Sequence, residues 1–246
     1  MYPILFKIGF FTVYTYGFMI AVAFLVCSFL LSKEFKRIGI KEDLAVDLSV
    51  YLLIFGIIGA RFLHVLLNAG YYFYDVKEIF MLQHGGLAWQ GGVILAFIAG
   101  LFFMKKQNLI MGATCDAVVP YVALGQSIGR IGCYLNGCCY GKATDSFFGV
   151  IFPGMTQQVH PTELYLSFFL LIVFVILKKK EEKKVFNWQI FSLYLILYAV
   201  VRFSIDFLRG DLHPVFFGLS VSQFICAVLF LAGIIIYKTA KSAKVS

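Results

Sequence analysis

Residues 11–31 read FTVYTYGFMIAVAFLVCSFLL, a run of 21 positions without a charged side chain. A helix needs about 20 apolar residues to cross the hydrocarbon core of a bilayer, so this run predicts a first membrane-spanning helix that begins at residue 11. The run is longer than the apolar core of a signal peptide and lacks an obvious small-x-small cleavage site, so we predict no cleaved leader.

The composition of the whole chain supports a membrane location. Of its 246 residues, 61% are hydrophobic and 14% are charged, whereas soluble domains are nearer half apolar and a quarter charged. The net charge of +8 does not indicate nucleic-acid binding. The charges lie in short segments between apolar runs, where membrane topology requires them.

Six further apolar runs follow the first, and the fifth span of the resulting set is short. The candidate spans are residues 11–31, 44–67, 86–104, 112–131, 162–177, 189–208 and 219–237. We therefore predict an all-α, polytopic integral membrane protein with about seven transmembrane helices. Residues 1–246 are expected to form a single membrane-embedded domain.

The basic residues predict the orientation of these spans. Fourteen of the 21 Lys and Arg residues lie in the C-terminal tail and in the loops after the first, third and fifth spans. Because Lys-rich and Arg-rich loops stay in the cytoplasm, the N-terminus is predicted outside and the C-terminus in the cytoplasm. The long polar segment at 132–161 is then an outer-side loop, and loops of this length are commonly functional.

Three arginines lie inside apolar runs, where each costs about 2.5–3.5 kcal/mol at a helix centre. Arg61, Arg130 and Arg202 all fall in the outer half of the predicted membrane, and Arg209 follows soon afterwards. Guanidinium groups bind phosphate through paired hydrogen bonds, so several of them at one depth predict an anion site. The alternatives are snorkelling to the interface and pairing with acids, as Arg202 could with Asp206.

Other polar residues are predicted to lie on the same side. His84 and Gln90 each precede a glycine pair, which permits close approach of the backbone. Thr162 is predicted to cap the fifth span, and Glu163 suits the positive end of that helix. His160 could act as a general base near neutral pH, or it could be a loop histidine that orients the backbone.

Three cysteines lie close together in the outer-side loop region. Cys133, Cys138 and Cys139 have the spacing C-x4-C-C, which matches no common zinc pattern. Adjacent cysteines also give poor geometry for shared ligation, so we predict no metal and no other cofactor. A packing or redox role is the expected one.

Several sequence motifs occur in a characteristic order along the chain. Residues 125–144 read GQSIGRIGCYLNGCCYGKAT, and the other motifs are Tyr16-Gly17, Gly59-Ala60-Arg61, the paired glycines between Gly85 and Gly92, HPTELY at 160–165 and YAVVRFSIDFLR at 198–209. Together they resemble the signature motifs of bacterial prolipoprotein diacylglyceryl transferases over most of the chain.

The resemblance implies an enzyme of the bacterial cytoplasmic membrane with its active site toward the outer leaflet. Such enzymes move the diacylglyceryl group from phosphatidylglycerol to the lipobox cysteine thiol in the signal peptide of a prolipoprotein. A thioether forms and glycerol phosphate leaves. Fixed guanidinium groups would stabilise the charge that develops on the leaving phosphate.

The resemblance also implies roles for individual residues. Arg130 matches the arginine linked to the lipid phosphate and Arg202 matches a second essential arginine, so both are predicted to be catalytic, together with His160. The predicted substrate-binding residues are Arg130, Arg61, Asn136, Gly137, Tyr16, Gln90, Glu163, Asp206 and Arg209.

The chain also departs from the family pattern. Gln90 stands where many members have His or Tyr, and a neutral Gln cannot be a general base, so the base is unidentified. Cys133 and Cys138 stand where members often have Asn and Glu, and Asp206 replaces the usual Glu. These departures leave open that the protein is a divergent paralogue with an altered substrate or without activity. The alternative function is non-catalytic binding of an anionic lipid, or transport of an anion or lipid. A transporter should show repeats or broken helices near the midplane.

Overall fold

The computed structural model describes residues 3–8, 11–81, 85–212, 215 and 217–245. In chain order, the elements are strands β1 (Ile4–Ile8) and β2 (Phe11–Tyr14), helices α1 (Thr15–Arg37), α2 (Asp43–Leu67) and α3 (Ala69–Tyr74), a 3-10 helix (Val76–Phe80), and helices α4 (Trp89–Lys106), α5 (Met111–Asn136), α6 (Thr162–Glu181), α7 (Gln189–Asp206) and α8 (Val221–Val245). The predominance of helices confirms the predicted helical class.

Each apolar run of the sequence overlaps one long helix. Within the described residues, four helices are long and apolar enough to cross a membrane, namely α1, α2, α7 and the part of α8 at Val221–Ala243. Large apolar side chains on these helices are exposed, for example Leu25 at 66% and Ile235 at 60%. Because extended apolar surfaces are unfavourable in water, the chain is a helical membrane protein.

Two paired strands precede the first helix, so residues 11–14 of the first predicted span are extended rather than helical. Strand β2 runs antiparallel to β1, with Phe6 opposite Val13. The β-branched and aromatic residues Thr12, Val13 and Tyr14 favour an extended backbone. Helix α1 begins only at Thr15 and continues to Arg37.

The chain divides into two compact units. The first comprises Met1–Leu31 and Cys115–Ser246, and the second comprises Ser32–Thr114. The first unit therefore contains most of α1, nearly all of α5, and α6, α7 and α8. The second unit contains α2, α3 and α4.

In the second unit, α2 and α4 approach closely at glycines. A Cβ atom at Gly59 would lie 2.5 Å from the Cβ of Leu95, and one at Gly92 would lie 2.8 Å from the carbonyl oxygen of Gly56. A Cβ at Gly91 would overlap the carbonyl of Gly59 in the same way. Small residues permit such close helix packing in membrane proteins.

In the first unit, α5, α6 and α7 share an apolar core whose buried side chains are Val119, Ala123, Val173, Leu177, Ile190 and Tyr194. Ser127 and Ser167 connect α5 to α6, because each hydroxyl donates to the other residue's carbonyl at 2.8 Å. Asp116 accepts a hydrogen bond from the backbone N–H of Phe191 at 2.8 Å and pairs with Lys184 at 3.2 Å. These contacts give Asp116 a structural role between α5 and α7.

The close approach of α2 and α4 at their glycines can be tested by substitution. Gly59→Ala is expected to destabilise the protein by about 1–3 kcal/mol, because the added methyl group overlaps α4. Gly56→Ala on the same helix is the matched control, since its Cβ would lie at an ordinary 3.9 Å from the Cβ of Ala96. Thermal unfolding of the detergent-purified variants measures the effect, and equal melting temperatures would contradict this packing.

Candidate functional site

A narrow gap in the first unit is lined by three arginines. Arg130 lies in the last turns of α5, Arg202 lies in α7, and Arg209 follows the end of α7. The other lining residues are Cys139, Thr162, Glu163, Leu166 and Ile205. Three of the four arginines that the sequence singled out therefore converge, although they are far apart in the chain.

Helix α5 ends in a Schellman motif that turns the chain back on itself. Gly137 has a φ of +78°, and its N–H donates to the carbonyl of Tyr134 at 3.1 Å. The N–H of Cys138 donates to the carbonyl of Cys133 at 3.2 Å. Glycine is favoured at this position because left-handed backbone is sterically open to it. Gly137, predicted to bind substrate, therefore has a helix-ending role.

The loop after α5 is held against the segment that follows α7. The N–H of Lys142 donates to the carbonyl of Leu208 at 2.8 Å, and that of Gly141 donates to the carbonyl of His160 at 2.8 Å. A Cβ at Gly141 would lie 2.7 Å from the carbonyl oxygen of Leu208 and 2.8 Å from the Cβ of His160. Only glycine permits this approach, which aligns the loop with Arg209 in an antiparallel bridge.

The three arginines differ in their partners. The Nε of Arg202 lies 3.1 Å from the carboxylate of Asp206, as their spacing of four residues predicts. The Nε of Arg209 donates to Asp211 at 2.8 Å. Arg130 has no ion pair or hydrogen bond with any residue that the structure describes. The donors of Arg130 are therefore available to a bound anion.

Two buried carboxylates lie beside these arginines. Glu163 is 2% exposed and Asp206 is 4% exposed, and none of their four carboxylate oxygens accepts a hydrogen bond from the described residues. Both lie within electrostatic reach of Arg130 or Arg202. Attraction to the guanidinium groups reduces the cost of burying these carboxylates. Arg202 and Arg209 each have a carboxylate partner, whereas Arg130 has none among the described residues, so the Arg130 guanidinium suits an anionic ligand.

The start of α6 differs from the prediction, because Thr162 does not cap the helix. The residue before the helix is Pro161, and no side chain forms a cap hydrogen bond there. Thr162 is already the first helical residue, so its hydroxyl donates instead to the carbonyl of Cys139 at 2.9 Å. Glu163 does lie in the first turn, as expected.

His160 lies beside the gap but is not among the described residues that line it. Its side chain is half-buried, and its Nδ1 is 3.4 Å from the hydroxyl of Tyr165. Its backbone N–H donates to the carbonyl of Lys142 at 3.0 Å. These contacts favour the loop-orienting alternative, while a catalytic role for His160 stays a prediction.

Arg61 belongs to the second unit, where it binds the backbone. Its guanidinium nitrogens donate to the carbonyls of Glu78, Ile79, Met81, Gly85 and Gly86. It also lies 5.3 Å from the ring centroid of Tyr72. These bonds explain its burial without a ligand, and its substrate-binding role stays a prediction. Gln90 is exposed near the start of α4, and His84 lies outside the described residues.

The three cysteines converge, in contrast to what their spacing led us to expect. The Sγ atoms of Cys133, Cys138 and Cys139 lie within 4.8 Å of one another, and all three thiols are free. The Schellman motif folds Cys138 back toward Cys133, and Cys139 has a left-handed φ of 69°. Hydrogen bonds from the Cys133 and Cys138 thiols, together with nearby Arg209 and Arg130, lower the pKa of the Cys139 thiol.

Two more of the predicted residues lie near this cysteine cluster. Tyr16, at the start of α1, is 43% exposed and lies within electrostatic reach of Cys133 and Arg130. Asn136 is the exposed last residue of α5, and its side chain lies beside Cys138. Both residues border the site, and neither is among the described residues that line the gap.

Sequence reasoning missed the apolar wall of the gap and assigned Cys139 and Thr162 to other roles, not to the lining of the gap. Leu166 follows Glu163 by three positions on α6, and Ile205 follows Arg202 by three positions on α7. Residues three positions apart share a helix face, so this spacing could have identified the wall. No comparable signal in the sequence marks Cys139.

The close approach at Gly141 is testable by substitution. Gly141→Ala is expected to cost about 1–3 kcal/mol of stability, because the methyl group overlaps the backbone of Leu208. Limited proteolysis should then cut the loop between residues 142 and 158 faster. Gly70→Ala is the control, since a Cβ there meets no atom within 4 Å. Unchanged melting and cleavage in Gly141→Ala would contradict the described contact.

Comparison with known proteins relates the chain to one family. The family model described as prolipoprotein diacylglyceryl transferase matches residues 3–239. A phosphatidylglycerol–prolipoprotein diacylglyceryl transferase from Clostridium tetani is 36% identical over 242 residues, which cover 96% of this chain and 97% of that protein. Enzymes of the same name from Finegoldia magna and Clostridioides difficile are 36% and 33% identical, covering 90% and 89% of this chain and 88% of each relative.

Proposed function

Because the chain belongs to the prolipoprotein diacylglyceryl transferase family, we propose that it transfers the diacylglyceryl group of phosphatidylglycerol to the lipobox cysteine of prolipoproteins. The observation that carries this proposal is the convergence of Arg130, Arg202 and Arg209 on one gap in an apolar protein. The relatives are named as enzymes, which favours transfer over lipid binding or transport alone.

The proposed reaction forms one bond and breaks one. The cysteine sulfur bonds to the glyceryl carbon, the bond from that carbon to the phosphate oxygen breaks, and its electron pair leaves with glycerol phosphate. The thiol must lose its proton, since the thiolate is the nucleophile. A released phosphate monoester has a second pKa of about 6, so one of its oxygens can take up this proton.

The arginines are proposed to act on the phosphate. Arg130, whose donors have no partner among the described residues, would bind two phosphate oxygens through its planar fork. Arg202 in α7 and Arg209 just after it, oriented by Asp206 and Asp211, would add positive charge. The phosphate becomes more negative as the carbon–oxygen bond breaks, so these groups stabilise the transition state more than the bound lipid.

Other residues are proposed to support this arrangement. Glu163 would limit the positive charge of the empty site, and Tyr16 and Asn136 would border the path of the incoming peptide. His160 would hold the loop through Tyr165 and the backbone of Lys142. The leaving phosphate, rather than His160 or the neutral Gln90, would then accept the thiol proton.

The proposed setting is the bacterial cytoplasmic membrane, crossed seven times, with the N-terminus outside and the C-terminus inside. The seven long helices that overlap the seven apolar runs support this topology, as does the unequal distribution of Lys and Arg. The arginine gap would then face the outer leaflet, where the lipid head group and the lipobox cysteine meet.

Arginine substitutions test the proposed function directly. With phosphatidylglycerol and a synthetic lipobox peptide, Arg130→Ala and Arg202→Ala are each expected to slow transfer by about 100-fold to 1,000-fold, the usual loss of a charge-stabilising donor. Arg130→Lys should lie between, because it keeps the charge but loses the paired hydrogen bonds. Mass spectrometry of the diacylglyceryl adduct on the peptide measures the rate.

The matched control for these variants is Arg37→Ala, because Arg37 pairs with Glu34 at the end of α1 and is not among the residues lining the gap. This variant should retain the wild-type rate. Full activity in both Arg130→Ala and Arg202→Ala would rule out the proposed phosphate clamp.

Glu163→Gln separates charge compensation from direct phosphate binding. The substitution keeps the shape of the side chain and removes one negative charge beside the arginines, so the KM for phosphatidylglycerol should stay equal or fall. The rate should remain within about tenfold of wild type, since no step is assigned to this carboxylate. A KM that rises as much as in Arg130→Ala would contradict the compensating role.

A further inference from the structure

The cysteine cluster, defined as Cys133, Cys138 and Cys139, is a feature that the proposed reaction does not use. Its three sulfur atoms come from the last turn of α5 and from the two residues that follow Gly137. They lie within 4.8 Å of one another although the sequence spacing is unlike that of known metal motifs. The helix-ending turn, rather than the spacing, brings them together.

The distances suit a single soft cation. A Zn–S bond is about 2.3 Å long, which places the sulfur ligands about 3.8–4.0 Å apart in tetrahedral or trigonal geometry. Sulfur atoms within 4.8 Å of one another reach that spacing by shifts of less than about 1 Å, which side-chain rotation supplies. Two of the thiols are only half-buried, so an ion has access to them.

The surrounding charges also favour bound thiolates. Cys139 lines the gap together with Arg130, Arg202 and Arg209, and a divalent cation with three thiolates carries one net negative charge. Guanidinium groups that line the same gap stabilise this negatively charged complex by Coulomb attraction. Glu163 lies on the same gap and opposes this effect. Asp206 and Asp211 pair with Arg202 and Arg209, so Arg130 is the guanidinium of the gap without an ion-pair partner among the described residues.

We propose that Cys133, Cys138 and Cys139 form a three-thiolate site for a soft divalent cation such as Zn²⁺, with a fourth coordination position left open. Three protein ligands with an open position are a common arrangement for zinc. The remaining cysteines, Cys27, Cys115 and Cys226, lie within helices and are not part of the cluster.

A bound cation should also affect transferase activity, and this consequence rests on the proposed function. The bound complex carries one net negative charge on the wall of the gap that would receive the lipid phosphate. It also fixes the Cys139 segment, whose carbonyl accepts the hydrogen bond from Thr162. Binding of the cation should therefore raise the KM for phosphatidylglycerol and slow transfer.

The test is a titration of reduced, detergent-purified protein with Cd²⁺, a soft probe ion with a measurable thiolate charge-transfer absorption. One Cd²⁺ per chain is expected, with elemental analysis after gel filtration giving the stoichiometry. Cys138→Ser and Cys133→Asn should each weaken binding at least tenfold, and Cys226→Ser is the matched control that should bind as wild type does. Thermal unfolding checks that each variant is folded.

Failure of the metal site can be distinguished from failure of the proposed function, because metal binding is measured without a transfer reaction. Absence of stoichiometric Cd²⁺ binding, or equal binding by the wild type and the two folded cluster variants, overturns the site. Cd²⁺ or Zn²⁺ that inhibits transfer by the wild type but not by Cys138→Ser supports the inhibitory consequence. Binding without any change in the KM for phosphatidylglycerol overturns that consequence.

Discussion

A guanidinium group inside an apolar membrane protein needs a counter-charge or a set of acceptors, because it stays charged and is costly to bury. The chain meets this requirement in different ways. Arg61 donates to five backbone carbonyls, and Arg202 pairs with Asp206. Arg130 has no partner among the described residues. The lipid phosphate is proposed to be the ion-pair partner of Arg130. Binding of the substrate would then also neutralise the buried charge of Arg130.

The geometry of the gap depends on the backbone that surrounds the arginines. Gly137 ends α5 in a left-handed conformation, and Gly141 lets the following loop touch the end of α7. These glycines contribute by the absence of a side chain, and the substrate-binding role of Gly137 stays a prediction. The same turn sets the Cys139 carbonyl against Thr162 and gathers the three thiols, which explains why the cluster and the arginine gap adjoin each other.

The sequence predicted the parts of the structure that hydrophobicity controls. The apolar runs locate the long helices, because a bilayer-spanning helix requires length and apolar character alone. The strand at Phe11–Tyr14 was missed, since apolar content does not distinguish a short strand from the start of a helix. The convergence of the arginines in the first unit followed from their predicted depth in the membrane. The hydrogen bonds of Arg61 to the backbone and the cysteine cluster depend on loop conformations, which no local sequence pattern specifies.

The most direct measurement of the central claim is an electron cryo-microscopy structure of the protein with phosphatidylglycerol and without a thiol substrate. The account predicts that the lipid phosphate lies in the gap of the first unit, with paired hydrogen bonds from Arg130 and with Arg202 or Arg209 in contact. A head group bound elsewhere, with Arg130 facing no anion, would contradict it.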